Sequence, residues 1–264
     1  MPVRLFTSAN FSESSLQVRV PILYYHRVQE NISPQKGVSP KIFVAQMEYL
    51  RKKNYRTVDL DDLADFFLAG RPLPPRPLII SFDDGYLDNF QWAYPILKRF
   101  GFRAIFFLVS AYIGQRSEWE GCMGEDVVPL MTRENILTMM ADGFRFGGHG
   151  RTHKKLIATS EEEARDEVQQ SKKELEDLLQ KEVRSFAYPF GDYNDRVVDI
   201  VREAGYTTAR TVHADNTHRR ENLLQLKCLP INELTSTYKF LYHLSSIYHI
   251  ETVWHERRKR NKFR

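Results

Sequence analysis

The sequence predicts an α/β fold in which parallel strands form a closed or nearly closed barrel with helices on the outside. Three observations support this prediction. Segments with strand and helix patterns alternate at least six times, the chain has no internal linker or low-complexity segment, and no glycine-rich phosphate loop follows the first strand. Such alternation is typical of parallel sheets covered by helices, and the missing phosphate loop disfavours an open doubly wound sheet.

The strands are predicted from runs of β-branched and aromatic residues that lie between turn signals. They cover residues 18–26, 55–58, 77–84, 103–109, 144–149, 184–191 and 206–212. The first strand ends at His26, and the strand over 77–84 ends in two adjacent aspartates, Asp83 and Asp84. Beyond about residue 230 the pattern becomes less clear.

The helices are predicted from apolar residues at helical spacing between capping residues and stop signals. They cover residues 39–55, 59–70, 88–101, 132–143, 160–182 and 194–205. Ser160 and Glu163 have the spacing of a capping box, and Gly70 and Gly101 stand where helices end. Pro95 lies inside the helix over 88–101 and predicts a kink there.

The composition is that of an ordinary water-soluble protein. Of 264 residues, 42% are hydrophobic and 27% are charged, and the formal net charge is +4. No basic stripe with interleaved aromatic residues occurs, so nucleic acid is not an expected partner. The two cysteines, Cys122 and Cys228, are far apart, which indicates neither a disulfide framework nor a thiolate zinc site.

One domain is expected over residues 19–250, between a flexible polar arm (1–18) and a basic tail (251–264). The N-terminus lacks the apolar core of a signal peptide, and no apolar run is long enough to span a membrane. We therefore expect a cytoplasmic protein, with contact between the basic tail and anionic lipid as the peripheral alternative. The sequence does not specify an oligomeric state.

Polar side chains stand at the ends of four predicted strands: His26, the pair Asp83 and Asp84, His149, and Tyr188. In (β/α) barrels the carboxyl ends of the strands meet at one rim, where the chemistry takes place. Each residue alone has a simpler explanation, because acids after a strand are often helix caps and a lone histidine is often a structural residue. Their combination predicts an active site at this rim.

The segment "HGRTH" places His149 and His153 four residues apart directly after a strand. One helical turn there would put both imidazoles on one face, an arrangement that suits a divalent metal. Two histidines and one carboxylate leave positions open for water and substrate, which is typical of a catalytic metal site. The other aspartate of the pair would then take a proton from water activated by the metal.

Three segments, "FDDGYLDNF", "HGRTH" and "RSFAYPFGDYN", occur in this order and resemble the main motifs of the polysaccharide deacetylase family, the NodB-homology or carbohydrate esterase family 4 group. The opening "PILYYHRV" resembles the first strand of the subgroup that includes poly-N-acetylglucosamine deacetylases. The resemblance runs from about residue 20 to 212. It implies a distorted (β/α)7 barrel and makes the domain over 19–250 a catalytic domain.

The resemblance implies specific roles for the residues at the rim. Asp83 matches the general base of the family, and Arg184 matches the arginine that orients this base. The implied metal ligands are Asp84, His149 and His153. The metal of the family is usually zinc, with cobalt, nickel or iron as alternatives.

Two further matches concern the third motif and the histidine loop. Tyr188 matches the residue whose backbone N–H stabilises the oxyanion together with the metal, in agreement with the physics of oxyanion stabilisation. The family often has Ser or Thr directly after the first metal histidine, where this chain has Gly150. Because Thr152 still supplies a hydroxyl, we expect the loop to keep its shape with altered supporting bonds.

The late Leu-x-x-His motif, which supplies the general acid in the family, has no convincing counterpart here. In the subgroup with the "YYHRV" strand the first-strand histidine fills this role, so His26 is assigned as the acid. The alternatives are a C-terminal histidine, His243 or His249, and a His26 that only hydrogen-bonds a carboxylate of the rim.

The expected function is metal-dependent removal of N-acetyl groups from an amino-sugar glycan or a glycolipid precursor. The expected partners are an acetylated amino-sugar oligomer or polymer, or a lipid-linked glycan. Other acyl substrates remain open, namely an O-acetyl ester, a formylated aminosugar or a non-sugar amide. A catalytically weak glycan-binding module on the same scaffold is the alternative from another class.

Overall fold

A curled sheet of parallel strands forms the centre of the computed structural model, which describes residues 16–122 and 126–245. The strands are Gln17–Arg19 (β1), Ile22–Tyr25 (β2), Arg27–Val28 (β3), Gly37–Val38 (β4), Arg56–Thr57 (β5), Pro77–Phe82 (β6), Ile105–Leu108 (β7), Arg145–Gly148 (β8), Ser185–Ala187 (β9), Thr208–Arg210 (β10), Thr217–Arg219 (β11) and Leu229–Pro230 (β12). The α-helices are Pro40–Lys52 (α1), Leu60–Ala69 (α2), Tyr94–Phe100 (α3), Glu118–Cys122 (α4), Arg133–Ala141 (α5), Glu161–Leu179 (α6), Asp195–Glu203 (α7) and Thr237–Leu244 (α8).

The strands follow one another across the sheet in the order β10, β9, β8, β7, β6, β2 and β12, and β5 adds to β6. All of these pairs are parallel. Leu226 forms a parallel bridge with Arg210 at one end of the sheet, and Leu229–Pro230 pairs with β2 at the other end. The chain from Leu226 to Pro230 therefore joins both ends and closes the distorted (β/α) barrel that the sequence predicted.

Side chains along the strands alternate between the interior of the barrel and the helix layer. Arg210 of β10 shows which side is the interior, because its guanidinium contacts the rings of Tyr24 on β2 and Phe107 on β7, which are distant strands in the sheet order. Tyr25 and Phe82 face the other way and stack on each other, with ring centroids 5.3 Å apart. They belong to the larger apolar cluster, which also contains residues of α1, α3, α5, α6 and α7.

Each predicted strand and helix occurs, most of them shorter than predicted. The predicted helix over 88–101 is divided into a π-helical turn, Asn89–Ala93, and α3. Pro95 lies in the first turn of α3, where its missing N–H removes no helical hydrogen bond. The sequence predicted an irregularity in this helix at Pro95, and the π-helical turn lies directly before it, whereas the short α4 and the C-terminal α8 were not predicted.

The N-terminal boundary of the fold differs from the prediction. The strand β1 begins at Gln17, one residue before the predicted strand, and pairs antiparallel with β11, so residues 17 and 18 of the predicted arm belong to the fold. The rest of that arm (1–15) and the basic tail (251–264) lie outside the described residues. Within the described ranges, none of the helices has both the length and the apolar composition of a membrane-spanning helix.

Candidate active site

The predicted site residues at the strand ends meet around one cavity of about 630 Å³. Its lining includes His26 after β2, Asp83 and Asp84 after β6, and His149 and His153 after β8. The carboxyl ends of parallel strands share one edge of a barrel, so residues distant in sequence come together here. Two other predicted site residues, Arg184 and Tyr188, are not among the lining residues.

Asp84, His149 and His153 form a compact, buried cluster that could hold a metal ion. Oδ1 of Asp84 lies 3.4 Å from Nε2 of His149 and 3.3 Å from Nε2 of His153, and the two Nε2 atoms are 3.2 Å apart. Zinc bonds of about 2.0–2.1 Å in tetrahedral geometry place neighbouring ligand atoms about 3.4 Å apart. The three separations therefore fit three corners of a tetrahedral site.

The hydrogen bonds of these ligands also fit a metal site. Nδ1 of His149 lies 2.8 Å from the carbonyl oxygen of Ala187, so Nδ1 carries the proton and Nε2 presents its lone pair to the cluster. Oδ1 of Asp84 is buried and has no hydrogen-bond partner among the described residues. A buried carboxylate oxygen without a donor is costly unless a cation satisfies it.

Burial and mutual contact shift the pKa values of the three candidate ligands. Burial and the neighbouring His149 lower the pKa of His153 to about 4, so its imidazole is neutral at neutral pH, as ligation requires. Burial alone would raise the pKa of Asp84, but the two histidines outweigh it and hold this pKa well below its usual range. For His149, burial is outweighed by Asp83 and Asp84, which raise its pKa.

The loop that carries the histidines is not the helical turn that the sequence predicted. Gly150 and His153 both adopt left-handed backbone conformations, with φ of 75° and 63°. Glu167 on α6 holds this loop, because its Oε2 accepts hydrogen bonds from the N–H groups of Arg151 (2.9 Å) and Thr152 (2.8 Å). Its Oε1 accepts a bond from the Thr152 hydroxyl. The expected supporting role of Thr152 is thus present, and Glu167 is a supporting residue that the sequence reasoning missed.

Asp83 forms an ion pair with Arg210 in the barrel interior. The two side chains are only 3% and 1% exposed. Arg210 is further fixed by the Tyr24 ring at 4.2 Å and by its own bond to the carbonyl oxygen of Thr211 at 3.0 Å. Burial alone would lower the pKa of Arg210, but Asp83 raises it, so the guanidinium stays charged.

Arg184 does not orient Asp83, contrary to the expectation from the third motif. It precedes β9 and therefore lies at the opposite end of the barrel from the rim. There its guanidinium pairs with Asp65 of α2 at 3.1 Å. Arg210 occupies the position beside Asp83 that was expected for Arg184.

The N–H of Tyr188 is also not available to an oxyanion, because it donates to the carbonyl oxygen of Arg210 at 3.1 Å and continues the strand pairing. The buried Tyr188 hydroxyl donates to Leu224 at 2.9 Å. Two residues on, Phe190 lines the cavity and has a left-handed backbone with φ of 60°. Within this turn the N–H groups of Gly191 and Asp192 donate to backbone carbonyl oxygens. The N–H of Phe190 is therefore the better candidate for a donor to an oxyanion.

Among the candidate acids, His26 lines the cavity and His243 does not. Nε2 of His26 lies 2.6 Å from the hydroxyl of Tyr24. His243 lies on α8, and His249 lies outside the described residues. The geometry therefore favours His26 for the role assigned to it.

Two aromatic side chains border the candidate metal ligands. The rings of Trp119 and Phe190 lie 5.1 Å and 4.7 Å from the imidazole of His153. Trp119 is largely buried, whereas Phe190 is 42% exposed and offers a surface to a ligand. Next to Trp119, the buried carboxylate of Glu120 also lines the cavity.

Fold and site together define a (β/α) barrel protein whose rim joins a candidate metal triad to a buried, arginine-paired carboxylate. The family model for polysaccharide deacetylase matches residues 70–209, more than half of the chain. The chain therefore belongs to the polysaccharide deacetylase family, and the resemblance seen in the three motifs is confirmed.

Individual relatives agree with this membership. YxkH of Bacillus subtilis (strain 168), which carries the same family name, is 26% identical over 79% of this chain and 70% of its own length. A poly-beta-1,6-N-acetyl-D-glucosamine N-deacetylase of Staphylococcus aureus (strain MSSA476) is 25% identical over 64% of this chain. The chain spans 59% of the length of that staphylococcal enzyme.

Solved structures share the fold. Streptococcus pyogenes deacetylase PplD, in complex with acetate, superposes with a TM-score of 0.75 at 24% identity and covers 87% of this chain and 100% of its own. IcaB from Ammonifex degensii gives a TM-score of 0.75 at 24% identity and covers 86% of this chain and 97% of its own.

Proposed function

We propose that this chain is a metal-dependent N-deacetylase that removes N-acetyl groups from amino sugars in a glycan or a glycolipid precursor. One observation supports this most strongly: Asp83, paired with Arg210, lies directly beside the triad Asp84, His149 and His153 in an open cavity. A module that only binds glycans has no need for a buried, arginine-paired carboxylate beside a metal site. The substrate would be an acetylated amino-sugar oligomer or polymer, or a lipid-linked glycan.

The triad would hold one divalent cation. Its two imidazole nitrogens and one carboxylate oxygen, at tetrahedral separations, suit Zn²⁺ best, and Co²⁺, Ni²⁺ or Fe²⁺ accept similar ligands. When bound, such a cation lowers the pKa of water and polarises the acyl carbonyl.

The side chains of this protein then divide the proton transfers of amide hydrolysis. Asp83, oriented by Arg210, takes a proton from the attacking water as the water oxygen bonds to the acetyl carbon. The Phe190 N–H donates to the negative oxygen that develops on that carbon. His26 gives a proton to the nitrogen as the C–N bond breaks, so that acetate and an amine leave.

The test is acetate release from N-acetylglucosamine oligomers by the full chain, before and after a chelator and after Zn²⁺ is restored. We expect activity that the chelator abolishes and Zn²⁺ recovers. Asp83→Asn should lower kcat at least a hundredfold. Asp65→Asn, which removes a carboxylate at the opposite end of the barrel, is the matched control and should retain activity. Full activity in Asp83→Asn would contradict the assigned mechanism.

The substrate class is tested with a panel at equal concentrations. It contains N-acetylglucosamine oligomers, O-acetylated sugars, a formylated aminosugar and a simple non-sugar amide. A preference for the first group supports the proposal, and a preference for another replaces the substrate while keeping the site. Glycan binding without turnover by the Zn²⁺-loaded chain would support the binding-module alternative.

A further inference from the structure

Tyr24 lies between His26 and Asp83, the two groups that transfer protons in the proposed function. Its hydroxyl lies 2.6 Å from Nε2 of His26, two residues further along the chain. The face of its ring carries the guanidinium of Arg210 at 4.2 Å, and Arg210 pairs with Asp83. Tyr24 is 8% exposed and lines the cavity.

We propose that Tyr24 is a positioning residue for His26: its hydroxyl engages Nε2 and fixes the imidazole ring, which leaves Nδ1 as the nitrogen that gives a proton to the leaving amine. This inference rests on the proposed function only for the consequence of that positioning in turnover. The placement itself follows from the hydrogen bond alone. Because this contact occupies Nε2, only Nδ1 remains free to exchange a proton with a bound ligand.

A tyrosine hydroxyl suits this position because it can both donate and accept. Burial, assisted by Asp83, raises the pKa of Tyr24 well above its usual value, so the hydroxyl keeps its proton. It accepts from Nε2–H of the protonated ring, and it still accepts from Nε2–H after Nδ1 has given its proton to the amine. The ring of His26 therefore keeps one orientation in both protonation states, as a group that gives up a proton during turnover requires.

Tyr24 could instead serve only to pack the barrel interior, since it belongs to the apolar cluster there. Tyr24→Phe separates the two roles, because it keeps the ring beneath Arg210 and removes only the hydroxyl. Tyr25→Phe is the matched control on the same strand. It removes a buried hydroxyl that bonds Gln46 at 2.8 Å, on the other side of the sheet.

The first measurement is the ring N–H signals of His26 by ¹H–¹⁵N NMR of the Zn²⁺-loaded full chain, with the signals assigned through His26→Gln. We expect an Nε2–H signal that exchanges slowly with water in the wild type and in Tyr25→Phe, because the Tyr24 hydroxyl accepts from it. In Tyr24→Phe this proton should exchange with water faster. Equally slow exchange in Tyr24→Phe, or no protected Nε2–H in the wild type, would overturn the proposal.

The second measurement is turnover of N-acetylglucosamine oligomers. Tyr24→Phe should lower kcat about tenfold, a part of the usual contribution of a general acid, and leave KM within about twofold. In a His26→Ala background the same substitution should cause no further loss, because the positioned ring is gone. Independent losses in the double variant would refute the positioning role. If no substrate is turned over at all, the proposed function fails, whereas the NMR result still decides the role of Tyr24.

Discussion

Replacing Arg210 by Gln tests the buried ion pair between Arg210 and Asp83, the proposed general base. Both side chains of the Asp83–Arg210 pair are almost fully buried, so the substitution leaves a carboxylate without its counter-charge in the barrel interior. Removing one partner of such a pair costs about 3–5 kcal/mol of unfolding free energy. For a domain of this size each kcal/mol lowers Tm by about 2–4 °C, so we expect a fall of about 6–20 °C.

The assay is chemical and thermal denaturation of Arg210→Gln, Asp83→Asn and the double variant. Each single substitution leaves one buried charge without its partner, whereas the double substitution removes both charges. The double variant should therefore be more stable than the sum of the single effects predicts. Arg184→Gln is the matched control, since its bridge to Asp65 is partly exposed and should contribute less than about 1 kcal/mol. Equal costs for the two arginines, or additive effects at Asp83 and Arg210, would refute the reasoning.

Two further predictions concern the support of the histidine loop and the edge of the fold. Glu167→Gln should weaken Zn²⁺ binding about 10–100-fold in calorimetric titration, because it disturbs the three bonds that hold the loop, while Glu163→Gln at the surface of the same helix should not. An unchanged affinity would mean that the loop needs no support from α6. Burial lowers the pKa of His218 to about 4, so its contribution to stability is complete above pH 6.5, and about 3 kcal/mol is lost as pH falls to 4. His218→Gln should flatten the dependence of Tm on pH over this range, and an equally steep dependence in the variant would contradict the assignment.

The sequence could single out three candidate metal ligands, because Asp84 and His149 end predicted strands and His153 follows four residues after His149. A short error in the strand boundary does not matter there, since the carboxyl end of a parallel strand faces the rim in any case. The assignment of the oxyanion-binding N–H to Tyr188 failed because the strand pairing continues through this residue. Its N–H still takes part in the pairing of β9 with β10, so the chain turns toward the cavity only at Phe190.

Arg210 and Glu167 could not be assigned from motifs, because their partners lie far away in sequence. A signal was present in both cases. Arg210 interrupts a strand whose neighbours, Ala209 and Thr211, are small and buried, and a charge in a buried strand requires a partner. Glu167 falls on the apolar stripe of α6 beside Ala164 and Val168, where a carboxylate must likewise be satisfied.

Backbone conformation explains how two adjacent carboxylates can serve one cavity. In an extended strand, neighbouring side chains point to opposite faces, so Asp83 and Asp84 would diverge. Asp84 instead adopts a left-handed conformation with φ of 69°, which turns the chain at the end of β6 and lets both side chains line the cavity. The same conformation recurs at His153 and Phe190, both of which also line the cavity. For a residue other than glycine it costs about 1–2 kcal/mol, less for aspartate, and it persists only where surrounding contacts hold it. Here the ion pair of Asp83 with Arg210 and the hydrogen bonds of Glu167 to the histidine loop supply such contacts. Arg210 and α6 therefore help to give the two neighbouring aspartates different surroundings, an arginine for Asp83 and two histidines for Asp84.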